Sequence, residues 1–410
     1  MRYDQKIPAD WQCEYIGSLL SDIGAGTSVN GYDYPATDGE RGVLKLGAVA
    51  VGGGFKPSEN KEIKPEELVR AGPSVKKGTL LLSRSNTIDL VGACSAIREN
   101  YPNLHVPDLL WIVTPHSECD PLWLQYLIAA RPVRRGIRAI ATGTSGSMMK
   151  LSMKAFRKIE VPIPPLTEQR KIAAILSTWD RAIELTEKLI AAKKKRKQAL
   201  MQQLLTGNVR LPGLNEDWTV RKAGDLFGTR SVKKYPDEPV LSVTQDQGVV
   251  RRDELDRKIS MNETTTGTYK LVEPEDFVIS LRSFQGGLEM SRIRGIVSPA
   301  YHVIRPKVKL DSEFFRHFFK SAEFIGRLAV AIIGIRDGKQ IAFGDFSFLN
   351  FRFPPIQEQV EIGRVLTLAD NEIELLRKKL ASLQSQKRGL MQKLLTGKVR
   401  VNTNAETVKG

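Results

Sequence analysis

In two stretches of the chain, apolar residues recur at alternating steps of about four and three. In residues 164–211 they are Ile172, Leu176, Trp179, Ile183 and Ile190, then Leu200 and Leu204. In residues 354–401 they are Ile362, Leu366, Ala369, Ile373, Leu376, Leu380 and Leu383, then Leu390 and Leu394. Such spacing holds a stripe on one side of an α-helix for about five heptads, the pattern of a coiled-coil seam. Each stretch opens on a double proline, which stops a preceding strand. Thr167-Glu168 or Gln357-Glu358 then supplies a polar, acidic first turn. Each closes at Gly207 or Gly397, where a helix can end in a left-handed residue. The pattern predicts two helices of roughly 40 residues, about 60 Å long at 1.5 Å per residue. Lys193 and Lys197 interrupt the first stripe, so the seam is expected to be loose or open there.

The two stretches are copies. PPLTEQRKIAAILSTWDRAIEL returns as PPIQEQVEIGRVLTLADNEIEL, and the register holds without a gap from Pro164 and Pro354 to Leu211 and Val401. Nearly half of the aligned residues are identical, including Asp180 and Asp370, Leu-Met-Gln, and Leu-Leu-Thr-Gly-x-Val-Arg. Each copy offers the other a seam, so the helices are expected to pair within the chain.

The rest of the chain repeats more faintly. Trp11 with Gly17-Ser18-Leu19 is echoed by Trp218 with Gly224-Asp225-Leu226, and the run TLLLS (79–83) by FVISL (277–281). Late in each part a helical stretch, a small polar loop and a strand lead into Pro-Pro, over residues 141–165 and 333–355. The expected architecture is two α/β (α+β) globules, residues 1–163 and 212–353, alternating with long helices at 164–211 and 354–401 and a tail at 402–410. The helices would form an antiparallel coiled coil, with a pseudo-two-fold relation between the halves. Such a rod would exceed one turn of duplex DNA, roughly 34 Å.

Charge narrows the partner. A formal net charge of +16 and a pI near 9.7 point to a polyanion, and an apolar fraction of 41% to a folded chain rather than a disordered one. The longest apolar runs, such as 328–335, fall far short of the roughly 20 residues that span a bilayer. The first residues carry no apolar core of a signal peptide. Cys13, Cys94 and Cys119 are scattered without pairing, as suits a cytoplasmic protein. A nucleic acid is therefore favoured over a membrane. The run KKKRK (193–197) reads as a solvated helix face.

No catalytic, cofactor or metal site is expected. The Pro-Pro pairs precede Leu166 and Ile356 rather than an aromatic residue, and Gly52-Gly53-Gly54 reads as a turn. GIRDGKQ (334–340) lacks the spacing and hydroxyl of a phosphate loop, and Glu275-Asp276 reads as the turn before a strand. The histidines and cysteines lack metal-ligand spacing.

Phosphate contacts need Lys or Arg, and base edges need side chains that make paired hydrogen bonds. In the first globule the candidates are Arg84, Ser85 and Asn86 after the 79–83 strand. Arg134, Arg135 and Arg138 follow, leading into Thr142, Thr144, Ser145 and Ser147, with Lys150 beyond. In the second they are Arg282, Ser283 and Gln285, then Arg336, Lys339 and Gln340, with Arg251 and Arg252. On the helices, Glu184 and Glu374 with Gln202 and Gln392 are identical residues off the seam, candidates for a partner-facing surface. A protein-binding scaffold whose charge only steers association is the alternative.

The repeated P-P-x-x-E-Q, the D-x-x-I-x-L helix and the endings KQALMQQLLTGNVRL and KRGLMQKLLTGKVRV resemble specificity subunits of type I restriction–modification systems. The two-copy layout extends the resemblance over almost the whole chain. It implies two target-recognition domains on an antiparallel coiled coil; differing globules on a fixed rod are themselves expected to read a bipartite, asymmetric duplex DNA target with a fixed gap. The resemblance also implies assembly with two methyltransferase subunits and, for restriction, motor–nuclease subunits. S-adenosylmethionine, ATP and Mg would be bound by those partners, and adenine N6 would be methylated.

Overall fold

The computed structural model describes residues 7–143, 148–245, 247–255, 263–281, 283–331 and 342–402. The chain divides into two compact units, Met1–Thr186 with Lys379–Gly410, and Glu187–Lys378. Two helices of 39 residues, Leu166–Leu204 and Ile356–Leu394, contribute to both units.

In the first unit, strands Leu20–Ala25, Leu110–Pro115, Leu80–Ser83 and Cys94–Ala96 form an antiparallel sheet in that order. Alternation along the strands serves two cores. Leu80, Leu82, Trp111 and Val113 pack with Trp123, Leu124 and Leu127 of helix Pro121–Ala129. Leu81 and Leu110 instead pack with Leu44, Val75 and Val106 beside a second four-stranded sheet. Burial on both faces explains the uninterrupted apolar run Leu80-Leu81-Leu82.

The second unit repeats the first sheet with strands Phe227–Arg230, His302–Pro306, Phe277–Ile279 and Glu289–Met290. Phe277, Ile279 and Ile304 face the helical core, whereas Val278 and Val303 face Leu241, Val272 and Val297. Beyond them lie two ladders, Leu241–Thr244 with Gly248–Arg251 and Lys270–Val272 with Gly295–Val297, in place of a four-stranded sheet. The strand expected at 277–281 ends at Ile279. Short helices Met153–Arg157 and Phe343–Ser347 lie in the stretches expected to be loop and strand.

The helices pair antiparallel. In the first unit, Glu168 and Asp180 of the first helix meet Arg400 and Lys387 beyond and near the end of the second; in the second unit, Glu358 and Asp370 meet Arg210 and Lys197. The seam also enters the globular cores. Ile172 and Leu176 join Leu394 and Leu395 in one core, and Leu204 and Leu205 join Ile362 and Leu366 in the other. Ile190 and Ile373 are buried, while Trp179, Ile183, Leu376, Leu380, Leu383, Leu200 and Leu390 are half-buried.

The expected opening at the seam lysines is not found. Lys193 pairs with Glu372 at 2.5 Å and Lys197 with Asp370 at 2.5 Å. The acids lie on the facing helix, so a stripe read along one strand of sequence cannot reveal them. Lys194, Lys195 and Arg196 are exposed.

Candidate nucleic-acid interface

Each globule is fastened to the helix pair by one repeated set of contacts. The strand entering a globule pairs with the strand leaving it: Gln12–Tyr15 with Glu160–Ile163, and Thr219–Lys222 with Asn350–Phe353. This ladder brings Trp11 and Trp218 to the helix starts, where their indoles donate to Glu168 and Glu358 at 2.9 and 3.1 Å. At the far end of the other helix, Gly207 and Gly397 take positive φ (75° and 70°). The amides of Val209 and Val399 then close onto the carbonyls of Gln203 and Lys393. The turn swings Arg210 and Arg400 back, and each grips a buried glutamate with two hydrogen bonds of 2.6–2.8 Å.

The Glu-Gln motif therefore does more than place charge at a helix start. Gln169 and Gln359, both buried, accept from the amides of Asp120 and Asp311 at 2.9 and 3.0 Å. Those aspartates cap the globular helices Pro121–Ala129 and Ser312–Phe318.

In the first globule, several expected DNA-contact residues converge. Ser85–Asn86 pairs with Met149–Lys150, Thr142 bridges Lys150, and the Leu151 amide donates to the Arg84 carbonyl. The result is a small ribbon with Thr142 and Lys150 exposed and Asn86 and Arg84 half-buried. The Arg84 guanidinium lies 3.6 Å from Asp108, and Asn86 donates to the Ser83 hydroxyl at 3.3 Å. Thr144, Ser145 and Ser147 lie outside the described residues.

Two first-globule candidates belong to the interior. Ser85 is 2% exposed. Arg134 is 6% exposed and donates to the carbonyls of Val91 and Asp89 at 2.5 and 2.7 Å. Burial also lowers its pKa. It ties a loop to helix Arg131–Ile140, whereas Arg135 and Arg138 lie on the exposed side, with Arg138 2.9 Å from Asp89. The sequence gives no warning of this, because all three arginines sit within one and a half turns.

In the second globule, Arg251 ends the hairpin strand Gly248–Arg251 and lies 3.6 Å from Asp253, while Arg252 donates to the Ser242 hydroxyl at 3.3 Å. Ser283 is buried, accepting from the Ser280 amide at 2.8 Å, whereas Gln285 is exposed. Arg282, Arg336, Lys339 and Gln340 lie outside the described residues.

One charged cluster has no local signature in the sequence. Asp276, fully buried, accepts from Arg305 at 2.6 Å; Glu273 accepts from Arg305 at 2.8 Å, from Arg294 at 3.1 Å and from Arg230. Hydrogen bonds from Arg230 and Arg305 hold the Glu273 carboxyl down to about 2. Its members come from separate strands and turns. Glu275-Asp276 does form the expected turn, with Glu275 at φ 71°; before the matching strand of the first globule the turn is Lys76-Lys77-Gly78, with Gly78 at φ 85°.

Among the described residues, no group of three potential ligands could hold a metal ion, and no helix is long and apolar enough to cross a membrane.

Sequence and fold comparisons agree on the class. Residues 99–193 and 215–385 match the family described as type I restriction modification DNA specificity domain. The chain is 26% identical over 430 residues to the putative type I restriction enzyme MjaX specificity subunit of Methanocaldococcus jannaschii, covering 97% of this chain and 96% of that protein. It is 27% identical over 272 residues to the MjaVIII specificity subunit of the same organism, covering 60% and 64%. Its fold resembles the S subunit of a type I restriction–modification system from M. genitalium, with a TM-score of 0.60 at 16% identity over 96% of this chain and 98% of that one. A chain from a study of complex assembly and conformational transition of the type I R-M system gives a TM-score of 0.57 at 16% identity, over 96% and 100%. The protein belongs to the type I restriction–modification DNA specificity family. Its role is sequence-specific DNA recognition, and it is a non-catalytic subunit.

Proposed function

We propose that the chain reads a bipartite, asymmetric duplex, one half-site per globule, with the unread gap set by the helix pair. Residues 1–163 and 212–353 are the proposed target-recognition domains, and 164–211 and 354–401 the helices between and after them. The observation that carries this reading is a contrast within the chain. The buried contacts at the helix ends are the same in both units, whereas the globular parts that would meet DNA differ in sheets, turns and charge. Like fastenings with unlike globules suit two different sequences read on one frame.

In the first globule the ribbon of Arg84, Asn86, Thr142 and Lys150, with Arg135 and Arg138, is the proposed contact set; in the second it is Arg251, Arg252 and Gln285. Arg134, Ser85 and Ser283 support these surfaces from within. Methyltransferase subunits would dock on the helices. Leu185 and Leu375, equivalent in the two repeats and 53% and 66% exposed, stand beside the exposed Glu184 and Glu374. Two like surfaces suit two copies of one partner. Gln202 and Gln392 are exposed as well. S-adenosylmethionine, ATP and Mg belong to the partners in this reading, and the complex works on DNA in the cytoplasm.

The test is a map of modified adenines in a host lacking adenine methylation, expressing this chain with its methyltransferase subunit. A single bipartite motif with one gap, absent when this chain is omitted, is expected. Sequence-blind or absent methylation by an assembled complex would reject the reading in favour of a scaffold.

A further inference from the structure

An equivalent lysine–aspartate pair occupies the seam in each unit, with the pair Lys193–Glu372 beside it in the second. Lys387 meets Asp180 in the first, and Lys197 meets Asp370 in the second. Lys387 is buried, at 7% exposure, and Lys197 half-buried. Each pair also has a third member from the globule. In the first unit the Tyr126 hydroxyl donates to Asp180 at 2.6 Å. Lys387 there lies over the Tyr126 ring, 5.2 Å from its centroid, and reaches the Gly52 carbonyl at 3.3 Å. In the second unit Arg316 donates to Asp370 at 3.2 Å and is itself held by Glu313 at 2.7 Å. Two helices and a globule thus meet at one charge pair, twice.

A buried ion pair adds little net stability compared with apolar residues of similar size, so stability alone does not explain a lysine here. Its distinguishing property is direction. Leucine contacts tolerate sliding and rotation, whereas a carboxylate shared between an ammonium on one side and a phenol or guanidinium on the other fixes an angle. The Trp–Glu–Arg and Gln–Asp contacts, with the apolar residues around them, hold each globule at the helix ends; the charge pair is a second directional contact further along the helices.

We propose that Lys387 and Lys197 are positioning residues for recognition, each fixing the angle at which one globule rides on the helix pair and so restricting the complex to a single gap. This rests on the bipartite reading above. The assignment is crossed with respect to sequence. Lys387 serves the first globule from the second helix, and Lys197 serves the second globule from the first helix.

The test maps methylated adenines for the wild type, Lys387→Met, Lys197→Met, the double variant and the two Lys→Arg variants, each assembled with the methyltransferase subunit. Methionine fills the seam without charge. Each Met variant is expected to keep both half-sites but to methylate targets with a gap one base pair longer or shorter, about tenfold above the wild type. The double variant should do so more, and the Arg variants should return towards one gap. Hydrogen exchange on the same complexes should accelerate in Pro121–Ala129 for Lys387→Met and in Ser312–Phe318 for Lys197→Met, not the reverse. A single unchanged gap in both Met variants overturns the proposal. If a Met variant fails to fold, Tyr126→Phe, which keeps the ion pair and removes the globule's bond to Asp180, is expected likewise to admit gaps one base pair longer or shorter, and a single unchanged gap again overturns the proposal. A wild type without a bipartite motif would remove the underlying reading, and the proposal with it, a failure visible before any variant is made.

Discussion

The first and second units share a sheet order and a set of fastenings, yet fill them with different chemistry. The core of the first is built from Trp111, Trp123, Tyr126 and many aliphatic residues. That of the second centres on phenylalanines, among them Phe227, Phe277, Phe315, Phe319 and Phe351, with ring centroids 4.8–6.1 Å apart. Where the first meets its seam aspartate with a phenol, the second uses Arg316 beside the buried His317. The second also carries the Glu273–Asp276–arginine cluster, where the first has two lysines and a glycine. What is alike surrounds the helices, and what differs belongs to the globules. That division is expected if the helices perform one task twice and the globules perform two tasks.

The largest effect should come from breaking a fastening that the units share. Arg400→Ala leaves Glu168 buried without its cation, and Arg210→Ala does the same to Glu358. Each is expected to cost about 3–5 kcal/mol. Hydrogen exchange should confine the loss to the first unit for Arg400→Ala and to the second for Arg210→Ala; equal loosening of both by either variant would break the division.

The units should also fail at opposite ends of the pH scale. Burial, helped by the charges of Arg316 and Lys197, lowers the His317 pKa from 6.5 to about 3. As pH falls from 6.5 towards 3, the unfolded state gains a proton that the folded second unit refuses. Its stability should drop by up to about 1.4 kcal/mol per pH unit. In the first unit, burial pushes the Cys94 and Cys119 thiols from 9.0 up to about 12. There stability should be full below pH 9 and fall as pH rises towards 12. Denaturation followed by exchange in each unit checks both limbs, with His317→Gln expected to flatten the acid limb and Cys94→Ala the alkaline one.

Neighbouring arginines sharpen the comparison within one helix. Arg134→Ala should destabilise the first unit by about 1–3 kcal/mol, because two carbonyls lose their donor. Arg135→Ala should leave stability within about 0.5 kcal/mol. If Arg135 meets a phosphate, that substitution should instead reduce the salt dependence of duplex binding by about one counterion. Thermal unfolding and a salt titration separate the two effects.

The helices were legible in the sequence because their information is local and periodic: heptad spacing, Pro-Pro starts, glycine ends and a gapless copy. The matched strands were legible only in part: Leu80–Ser83 lies within the expected 79–83, whereas Phe277–Ile279 stops two residues short of the expected 281. Long-range polar pairing was not legible. Glu168 and Arg400 lie far apart in the chain, and Lys387 and Asp180 nearly as far, so neither pair leaves a mark at any short spacing. For the DNA-contact set, residue type alone could not separate Arg134, which satisfies carbonyls inside the globule, from the exposed Arg135 and Arg138. The ribbon joining residues 84–86 to Thr142 and Lys150 is a product of strand pairing, although its members were each visible as polar residues near small ones.

The most direct test of the division of labour exchanges one globule and maps the methylated motif. Residues 1–163 would be replaced by the corresponding globule of a relative that reads a different sequence, leaving both long helices intact. One half-site is expected to change to that of the donor, with the other half-site and the gap as before. A change in both half-sites, or in the gap alone, would contradict the account.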